Sequence, residues 1–191
     1  MNIDIQSFAT EDFVLEHLVD SKAHRQLLES FSVANNATGL EIYLKRRAMK
    51  DEVRNECRTY LVKDTISGEL ACYFSLRTGL ITVSADDGGF DTIPAAELSN
   101  FAVNASYSAI RRNERKLGAY VFNKFILPVV KRIAEWIGMQ CLYIYALPEN
   151  KLISYYERLG FRRMADEDAK FVYSHVKPRY DQGCVFMYMY V

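Results

Sequence analysis

The sequence lacks the long apolar runs of membrane proteins and the proline- and glycine-rich stretches of long linkers. Its longest apolar runs, at residues 125–130 and 185–191, are far shorter than the roughly 20 residues of a membrane span. No Lys or Arg precedes Lys22, which argues against a secretory signal. With 4 prolines and 9 glycines in 191 residues, no linker is recognisable. We therefore expect a single cytoplasmic domain over residues 1–191, without a membrane partner.

Cysteine and histidine are also scarce, and neither forms a pattern typical of a metal site. The 4 cysteines lie far apart with no Cys-x-x-Cys pair, and the 3 histidines form no set of ligands. Without a recognisable secretory signal, disulfide bonds are not expected. The sequence thus predicts buried thiols and no bound metal.

An excess of charge of either sign is missing as well. The chain has 24 Lys and Arg residues against 24 Asp and Glu residues, so its formal net charge is zero. Proteins that bind nucleic acids usually carry a basic excess, which displaces counterions from phosphates. The composition therefore argues against a nucleic-acid partner. Basic residues occur in local clusters, and most of these are interpreted as solvated surface.

The hydrophobic periodicity indicates an α/β protein. Helices are expected over residues 10–29 (with Thr10 as N-cap), 40–57, 118–137 and 151–158. Strands are expected over residues 59–62, 70–76, 94–104, 141–146, 161–164 and 185–190, with an extension at 80–83. Pro128 predicts a kink in the third helix. The strand–helix–strand–helix–strand order of the second half predicts a mixed sheet in which a right-handed crossover joins two parallel strands.

The segment from Glu97 to Tyr120 is the most informative part of the sequence. A strand is followed by a polar, basic loop over residues 105–116, and the loop runs directly into a helix at Gly118. The unpaired N–H groups and the dipole of a helix N-terminus favour anions, so this arrangement suits a phosphate. The loop also supplies four cations, Arg111, Arg112, Arg115 and Lys116. By itself the pattern is a weak signal, and a charged loop that caps a buried helix is the favoured alternative.

A second motif follows the strand at residues 142–146. Tyr156 lies four residues before Gly160-Phe161, at the junction of a short helix and a strand. This Tyr-x-x-x-Gly-Phe pattern and the Arg-x-x-Gly pattern of residues 115–118 together resemble the GNAT superfamily of acetyl-CoA-dependent N-acetyltransferases. The resemblance covers roughly residues 58–165, and the remainder follows by element order.

The resemblance implies a GNAT-like fold, with a mixed, mostly antiparallel central sheet, a splayed pair of parallel strands and helices on both faces. It also implies acetyl-CoA as the acyl donor. In the family the pantetheine arm lies along the fourth strand, and the loop before the long helix holds the pyrophosphate, with arginines donating charge-assisted hydrogen bonds. The implied cofactor-binding residues are Phe101, Ala102, Val103, Arg111, Arg112, Arg115, Lys116, Leu117, Gly118, Ala119, Tyr120 and Asn150.

Two positions depart from the family pattern. Tyr120 stands where the family usually has Gly or Ala, so either its side chain points away from the cofactor or the cofactor lies differently. Glu149 stands where many members have an Asn that touches the cofactor, and Asn150 follows one residue late. Asn150 is therefore a candidate contact, although an N-cap for a helix beginning at Lys151 is the favoured alternative.

Acetyl transfer to an amine needs one group that removes a proton and one that supplies a proton. An alkylammonium with a pKa of about 10 cannot attack until it is deprotonated, and a carboxylate accepts that proton directly or through water. Glu97 matches the family position of this base, and an outward-facing ion-pair partner is an equal alternative. Tyr156 matches the position of the acid that protonates the departing thiolate, with a core aromatic as its alternative. Of the neighbouring tyrosines, Tyr155 is expected to be the core residue.

The resemblance favours an N-acetyltransferase that transfers an acetyl group to a primary amine of a small molecule or protein by direct attack. Two alternatives stay open, a GNAT-type toxin that acetylates charged tRNA and a catalytically silent acyl-CoA-binding module. Zero net charge argues mildly against the first alternative, and the presence of both Glu97 and Tyr156 argues against the second. A homodimer is also left open. The segment 165–183 is expected either to border the acceptor site or to be a surface excursion.

Overall fold

A computed structural model of the chain describes residues 8–34, 37–85, 88–110, 116–175 and 183–191. The strands in these residues are Phe13–His17 (β1), Arg58–Asp64 (β2), Leu70–Ser84 (β3), Phe90–Val103 (β4), Cys141–Ala146 (β5), Arg162–Arg163 (β6) and Val185–Tyr190 (β7). The α-helices are Lys22–Ser30 (α1), Thr38–Arg46 (α2), Ala48–Val53 (α3), Ala105–Ile110 (α4), Leu117–Val121 (α5), Leu127–Trp136 (α6), Asn150–Arg158 (α7) and Asp166–His175 (α8).

The strands form one mixed sheet in the order β1-β2-β3-β4-β5-β7-β6. Strands β4 and β5 are parallel neighbours, whereas β1–β2, β2–β3, β5–β7 and β6–β7 pair antiparallel. This mostly antiparallel sheet with a parallel pair confirms the predicted fold class. Among the described residues, no helix is long and apolar enough to cross a bilayer.

The chain divides into two compact units, and the first comprises the described residues of Met1–Arg77 and Asn100–Val129. In its core the ring of Tyr73 lies edge-on to that of Phe31, with 5.2 Å between the ring centroids. The Tyr73 hydroxyl donates a hydrogen bond to the Leu40 carbonyl at 2.6 Å, so a buried polar atom is satisfied where β3 meets α2. The core cluster of this unit is Leu18, Leu28, Phe31, Leu44, Ala48, Leu61, Leu70, Tyr73 and Ala102.

The second unit comprises the described residues of Thr78–Ser99 and Val130–Val191. The Tyr173 hydroxyl donates to the Cys184 carbonyl at 2.7 Å and accepts from the Phe186 N–H at 2.8 Å, which fixes α8 to the start of β7. The core cluster of this unit is Ile81, Ala95, Cys141, Tyr143, Val172 and Phe186. Helix α8 therefore covers the face of the sheet that carries Tyr143.

The predicted helix over residues 10–29 is wrong in its first half. Phe13 and Leu15 are buried while Val14 and Glu16 are only partly buried, which is the period of a strand. Helix α1 begins only after Ser21, whose hydroxyl accepts a hydrogen bond from the His24 N–H at 3.1 Å. The side chain of Thr10 instead accepts from the Phe13 N–H and so stabilises the turn before β1.

Two segments predicted as loops contain helices. The loop expected at 105–116 begins with α4, and the segment 165–183 contains α8, in which Val172 is fully buried. At Pro128 the predicted irregularity takes the form of a π-helical turn, Phe122–Ile126, immediately before α6. The Leu127 N–H donates to the Phe122 carbonyl, one residue further back than in an α-helix. All four cysteines are buried thiols, as predicted.

Candidate active site

Glu97 lies on β4 where that strand pairs with β5. The residue is only 6% exposed, and it is in register with Tyr143 on the parallel neighbour. Residues in register on adjacent strands present their side chains on the same face of the sheet. The Tyr143 hydroxyl accordingly donates a hydrogen bond to Glu97 Oε2 at 3.0 Å. Glu97 is therefore a buried carboxylate, and the alternative of an outward-facing surface residue is wrong.

The parallel ladder between β4 and β5 ends at this pair. Its three register pairs are Ala95–Cys141, Ala96–Leu142 and Glu97–Tyr143. Beyond them β5 continues to Ala146, still paired with β7, and β4 continues through Ser99. An extended ligand that adds to the edge of a strand binds where neighbouring strands part, as in strand addition.

The ring of Tyr143 is enclosed by other residues of the second unit. Its centroid lies 5.5 Å from that of Phe186, and the fully buried Val172 of α8 belongs to the same cluster. Gly79 of β3 lies directly against the phenol, because a Cβ atom at that position would be 2.1 Å from the Tyr143 hydroxyl oxygen. Close packing on these sides fixes the position of the phenol beside Glu97.

Tyr156 lies near the C-terminal end of α7 and is buried. It is 9% exposed, and its ring lies edge-on to that of Phe161, with 5.6 Å between the ring centroids. The Tyr-x-x-x-Gly-Phe motif lies at the C-terminal end of this helix. Gly160 has a φ of +102°, a conformation that glycine adopts easily, and the Phe161 N–H donates to the Tyr156 carbonyl at 3.1 Å. Tyr155 is only partly buried, so the expectation that it is the core residue of the pair is wrong.

The helix expected at Gly118 begins with Lys116 as N-cap and Leu117 as its first residue. Lys116 is exposed and makes no capping hydrogen bond through its side chain. The Tyr120 ring lies against Phe13 of β1, with 5.8 Å between centroids, so it packs within the first unit. Gly118 and Ala119, which lie between Lys116 and Tyr120 in the sequence, are half-buried. The three arginines predicted beside this helix, Arg111, Arg112 and Arg115, lie outside the described residues.

The other predicted cofactor residues lie in two places. Phe101, Ala102 and Val103 end β4, and Ala102 is buried in the core cluster of the first unit. Asn150 is the exposed first residue of α7, and Glu149 is the N-cap. The N-cap interpretation of Asn150 is wrong, because the helix begins one residue earlier than predicted.

Sequence reasoning missed Tyr143 and Gly79. Both lie in segments that follow ordinary strand patterns, so neither stood out as functional. The available signals were a hydroxyl group in the middle of an apolar strand, which needs a partner when buried, and a glycine inside a strand, which often marks a close approach.

The first unit also carries a cluster of exposed cations. Arg46, Arg47, Lys50 and Arg54 are all exposed on or beside α2 and α3, and we call these four residues the basic face. Lys45 differs from them, since its ammonium group is paired with Glu41 at 2.8 Å. The zero net charge of the chain thus conceals a local concentration of positive charge.

No family model matches the chain. Solved structures nevertheless share its fold over nearly their full length. A tyrosine-to-phenylalanine mutant of KacT aligns with a TM-score of 0.68 at 15% identity, covering 94% of this chain and 95% of KacT. AtaT complexed with acetyl-methionyl-tRNAfMet aligns with a TM-score of 0.65 at 17% identity, covering 92% and 94%. AtaTR bound with acetyl-CoA aligns with a TM-score of 0.62 at 18% identity, covering 93% of each chain. The chain therefore has the fold of AtaT and KacT, and the predicted GNAT-like architecture is confirmed.

Proposed function

We propose that the protein is an acetyl-CoA-dependent N-acetyltransferase whose acceptor is the amino group of an aminoacyl-tRNA. The observation that carries the enzymatic part is the buried Glu97 carboxylate at the end of the β4–β5 ladder. The tRNA part draws its support from AtaT, which has the same fold and is known in complex with acetyl-methionyl-tRNAfMet. The favoured prediction, a small-molecule or protein amine, is not confirmed, and the comparisons favour the tRNA alternative.

In this proposal Glu97 is the base. An α-amino group has a pKa of about 8, so at neutral pH most of it is protonated and must lose a proton before it attacks. Glu97 takes that proton, directly or through water. The amine nitrogen then forms a bond to the thioester carbonyl carbon, the carbon–sulfur bond breaks, and the nitrogen loses its second proton to solvent. The products are the N-acetylated aminoacyl-tRNA and coenzyme A.

Tyr156 is the proposed acid for the leaving group. A thiolate has an intrinsic pKa near 8.5, and a phenol near 10 is a suitable proton donor to it. Burial of Tyr156 at the end of α7, with its ring against Phe161, supports a fixed position for its hydroxyl. The proton lost by the phenol is regained from solvent after the product leaves.

The phosphate-binding part of the cofactor site is proposed within the first unit. The N-terminus of α5 at residues 116–120 binds the pyrophosphate, assisted by Arg111, Arg112 or Arg115, and the backbone of residues 101–103 contributes a strand edge. The packing of Tyr120 on Phe13 supports this, since the ring is accommodated within that unit. Asn150 stays a candidate cofactor contact.

The basic face supports a nucleic-acid substrate in spite of the zero net charge. The phosphates of a nucleic acid are attracted to a local cluster of cations, and a protein without net charge can carry such a cluster. This feature weakens the argument from composition against a nucleic-acid partner.

The test is acetyl transfer from radiolabelled acetyl-CoA to total tRNA charged with amino acids. We expect N-acetylated aminoacyl-tRNA as product, and growth arrest when the protein is expressed in a bacterium. Tyr156→Phe should lower turnover by about 10²–10⁴-fold and relieve the arrest, whereas the matched change Tyr155→Phe should do neither. Transfer to polyamines, aminoglycosides or lysine peptides, with none to charged tRNA, would restore the small-molecule or protein reading. Cofactor binding without transfer to any of them would indicate an acyl-CoA-binding module.

A further inference from the structure

We propose that Tyr143 is a positioning residue that holds the Glu97 carboxylate, and that Gly79 is the residue that leaves room for it. The inference rests on the proposed function, in which Glu97 takes up the amine proton. It adds two residues to the site that neither the sequence motifs nor the family resemblance assigns.

The hydrogen bond from Tyr143 restricts the orientation of the Glu97 carboxylate. A buried carboxylate that accepts a hydrogen bond at one oxygen has its plane and its rotamer fixed by the donor. The Tyr143 hydroxyl is such a donor for Glu97 Oε2, at 3.0 Å, and the register of β4 with β5 brings the two side chains together. The donor itself cannot swing away, because its ring is packed against Phe186 and is only 6% exposed.

The Tyr143 phenol occupies the space that a side chain at position 79 would need. A Cβ atom at this position would lie 2.1 Å from the Tyr143 hydroxyl oxygen and 2.8 Å from ring atoms Cε1 and Cζ. These separations are far inside van der Waals contact, so any other residue at position 79 would displace the phenol. Gly79 does not have the positive φ that would itself require glycine. Space for Tyr143 is therefore the reason for a glycine at this point of β3.

The chemical nature of the donor also matters. A cationic donor strongly favours the charged form of a carboxylate, which makes a poor base. A neutral phenol holds the carboxylate oxygen with a weaker preference for the charged form. Tyr143 therefore orients Glu97 without adding a positive charge beside it.

The kinetic test compares Tyr143→Phe in two backgrounds, with acetyl-CoA and charged total tRNA as substrates. In the parent we expect kcat to fall about tenfold, KM for acetyl-CoA to stay unchanged, and the acidic limb of the pH–rate profile to move to higher pH. In the Glu97→Gln background the same change should have no further effect, since Tyr143 acts through Glu97. Equal losses in both backgrounds would overturn the inference. If Glu97→Gln itself keeps full activity, the proposed base fails instead, and the two failures are thus distinguishable.

The steric test uses two glycines of the second unit. Gly79→Ala should reproduce the kinetic effect of Tyr143→Phe, and the double variant should be no slower than the more affected single variant. Gly138→Ala is the matched control, because nothing lies within 4 Å of a Cβ atom there, and it should behave as the parent. Parent-like turnover and an unchanged pH profile in Gly79→Ala would contradict the role given to this glycine.

A measurement without substrate keeps the inference testable if no acceptor is found. Carboxyl-carbon NMR of protein labelled at glutamate, with Glu97→Gln to assign the resonance, reports the surroundings of the Glu97 carboxyl group. We expect its chemical shift to change in the same direction in Tyr143→Phe and in Gly79→Ala, because each removes the hydrogen bond from the Tyr143 hydroxyl. An unchanged chemical shift in both variants would show that Tyr143 does not hold the carboxylate.

Discussion

Glu52 in the first unit and Glu97 in the second are both buried glutamates, at 9% and 6% exposure, and they differ in where they lie and in what donates to them. Glu52 accepts from Arg58 Nη1 at 2.9 Å and is paired with His17 Nε2 at 3.1 Å. The Thr59 N–H also donates to it. Glu97 lies where β4 pairs with β5, and the neutral phenol of Tyr143 donates to its carboxylate.

The difference shows how one residue type can serve two purposes. A cationic donor stabilises a carboxylate in its charged form, and loss of the carboxylate leaves that donor without its anionic partner. Glu52 therefore suits a structural role, in which it ties α3 to β1 and β2. Its surroundings reflect this charge, because burial, with the Glu52 carboxylate nearby, raises the pKa of Tyr60 to about 12. Glu97, at the end of the β4–β5 ladder, is the glutamate that we propose for proton transfer.

The largest effect that separates the two glutamates should be on turnover. Glu97→Gln keeps the shape of the side chain but cannot take a proton, so we expect kcat to fall by about 10²–10⁴-fold. The loss should be greatest at the acidic end of the range from about pH 6 to pH 9, where more of the amine is protonated. Acetyl transfer measured across that range is the test. Glu52→Gln, the matched change in the first unit, should keep parent-like turnover per folded molecule, and a comparable loss there would remove the distinction.

The second effect should be on the free energy of unfolding. Here we expect the change at Glu52 to have a larger effect than the change at Glu97. Glu52→Gln breaks a buried carboxylate network and leaves Arg58 and His17 without their anionic partner, so we expect the free energy of unfolding to fall by about 3 kcal/mol. Glu97→Gln should change it much less. Urea denaturation at neutral pH measures both. Equal stability of the two variants would mean that the donors of Glu52 find other partners.

A smaller effect should show that cofactor binding is separate from either glutamate. Acetyl-CoA at about 100 times its Kd should raise the melting temperature of the parent, since such a ligand adds about 2.7 kcal/mol. Gly118→Glu puts bulk and negative charge at the proposed phosphate site and should abolish this rise. Gly138→Glu, a change at an open position, should keep it. Differential scanning fluorimetry is sufficient, and a full rise in Gly118→Glu would refute the proposed loop.

The smallest effect concerns a third glutamate, which is only partly buried. Burial raises the pKa of Glu16, but hydrogen bonds and charges from Lys63 and His24 outweigh it, so the pKa lies below its ordinary value of 4.5. A lowered folded-state pKa contributes stability above the unfolded value, and this contribution disappears as the pH falls through the folded value. In Glu16→Gln the decline of unfolding free energy below pH 4.5 should therefore be shallower. Lys63→Met should produce part of the same change, and identical declines in all three proteins would contradict the assignment.

Secondary structure could be predicted from the sequence where a local pattern determines it. Strands β5 and β7 begin and end where the apolar periodicity predicted, and the Tyr-x-x-x-Gly-Phe motif correctly marked the end of α7 because Gly160 needs a positive φ. The prediction failed for β1, where Phe13, Val14 and Leu18 fit a helical spacing although the segment pairs with β2 as a strand.

The candidate site shows the same limit. Glu97 was found by its position relative to a motif, whereas Tyr143 and Gly79 are far from it in sequence and meet only through the register of the sheet. The Glu52 network was missed for the same reason, since its members come from β1, α3 and β2. Contacts between strands depend on tertiary register, which no local pattern in one sequence specifies.

The burial of the cysteines has a practical consequence for the measurement of acetyl transfer. Coenzyme A released by acetyl transfer carries a free thiol, and a chromogenic thiol reagent detects it. Cys72 and Cys141 are fully buried, burial raises the pKa of both thiols, and Cys57 and Cys184 are at most 7% exposed. Protonated, inaccessible thiols react slowly, so the folded protein should give almost no background. A variant that unfolds would instead expose four reactive thiols per chain, and the same reagent, added before the substrate, would separate lost folding from lost catalysis.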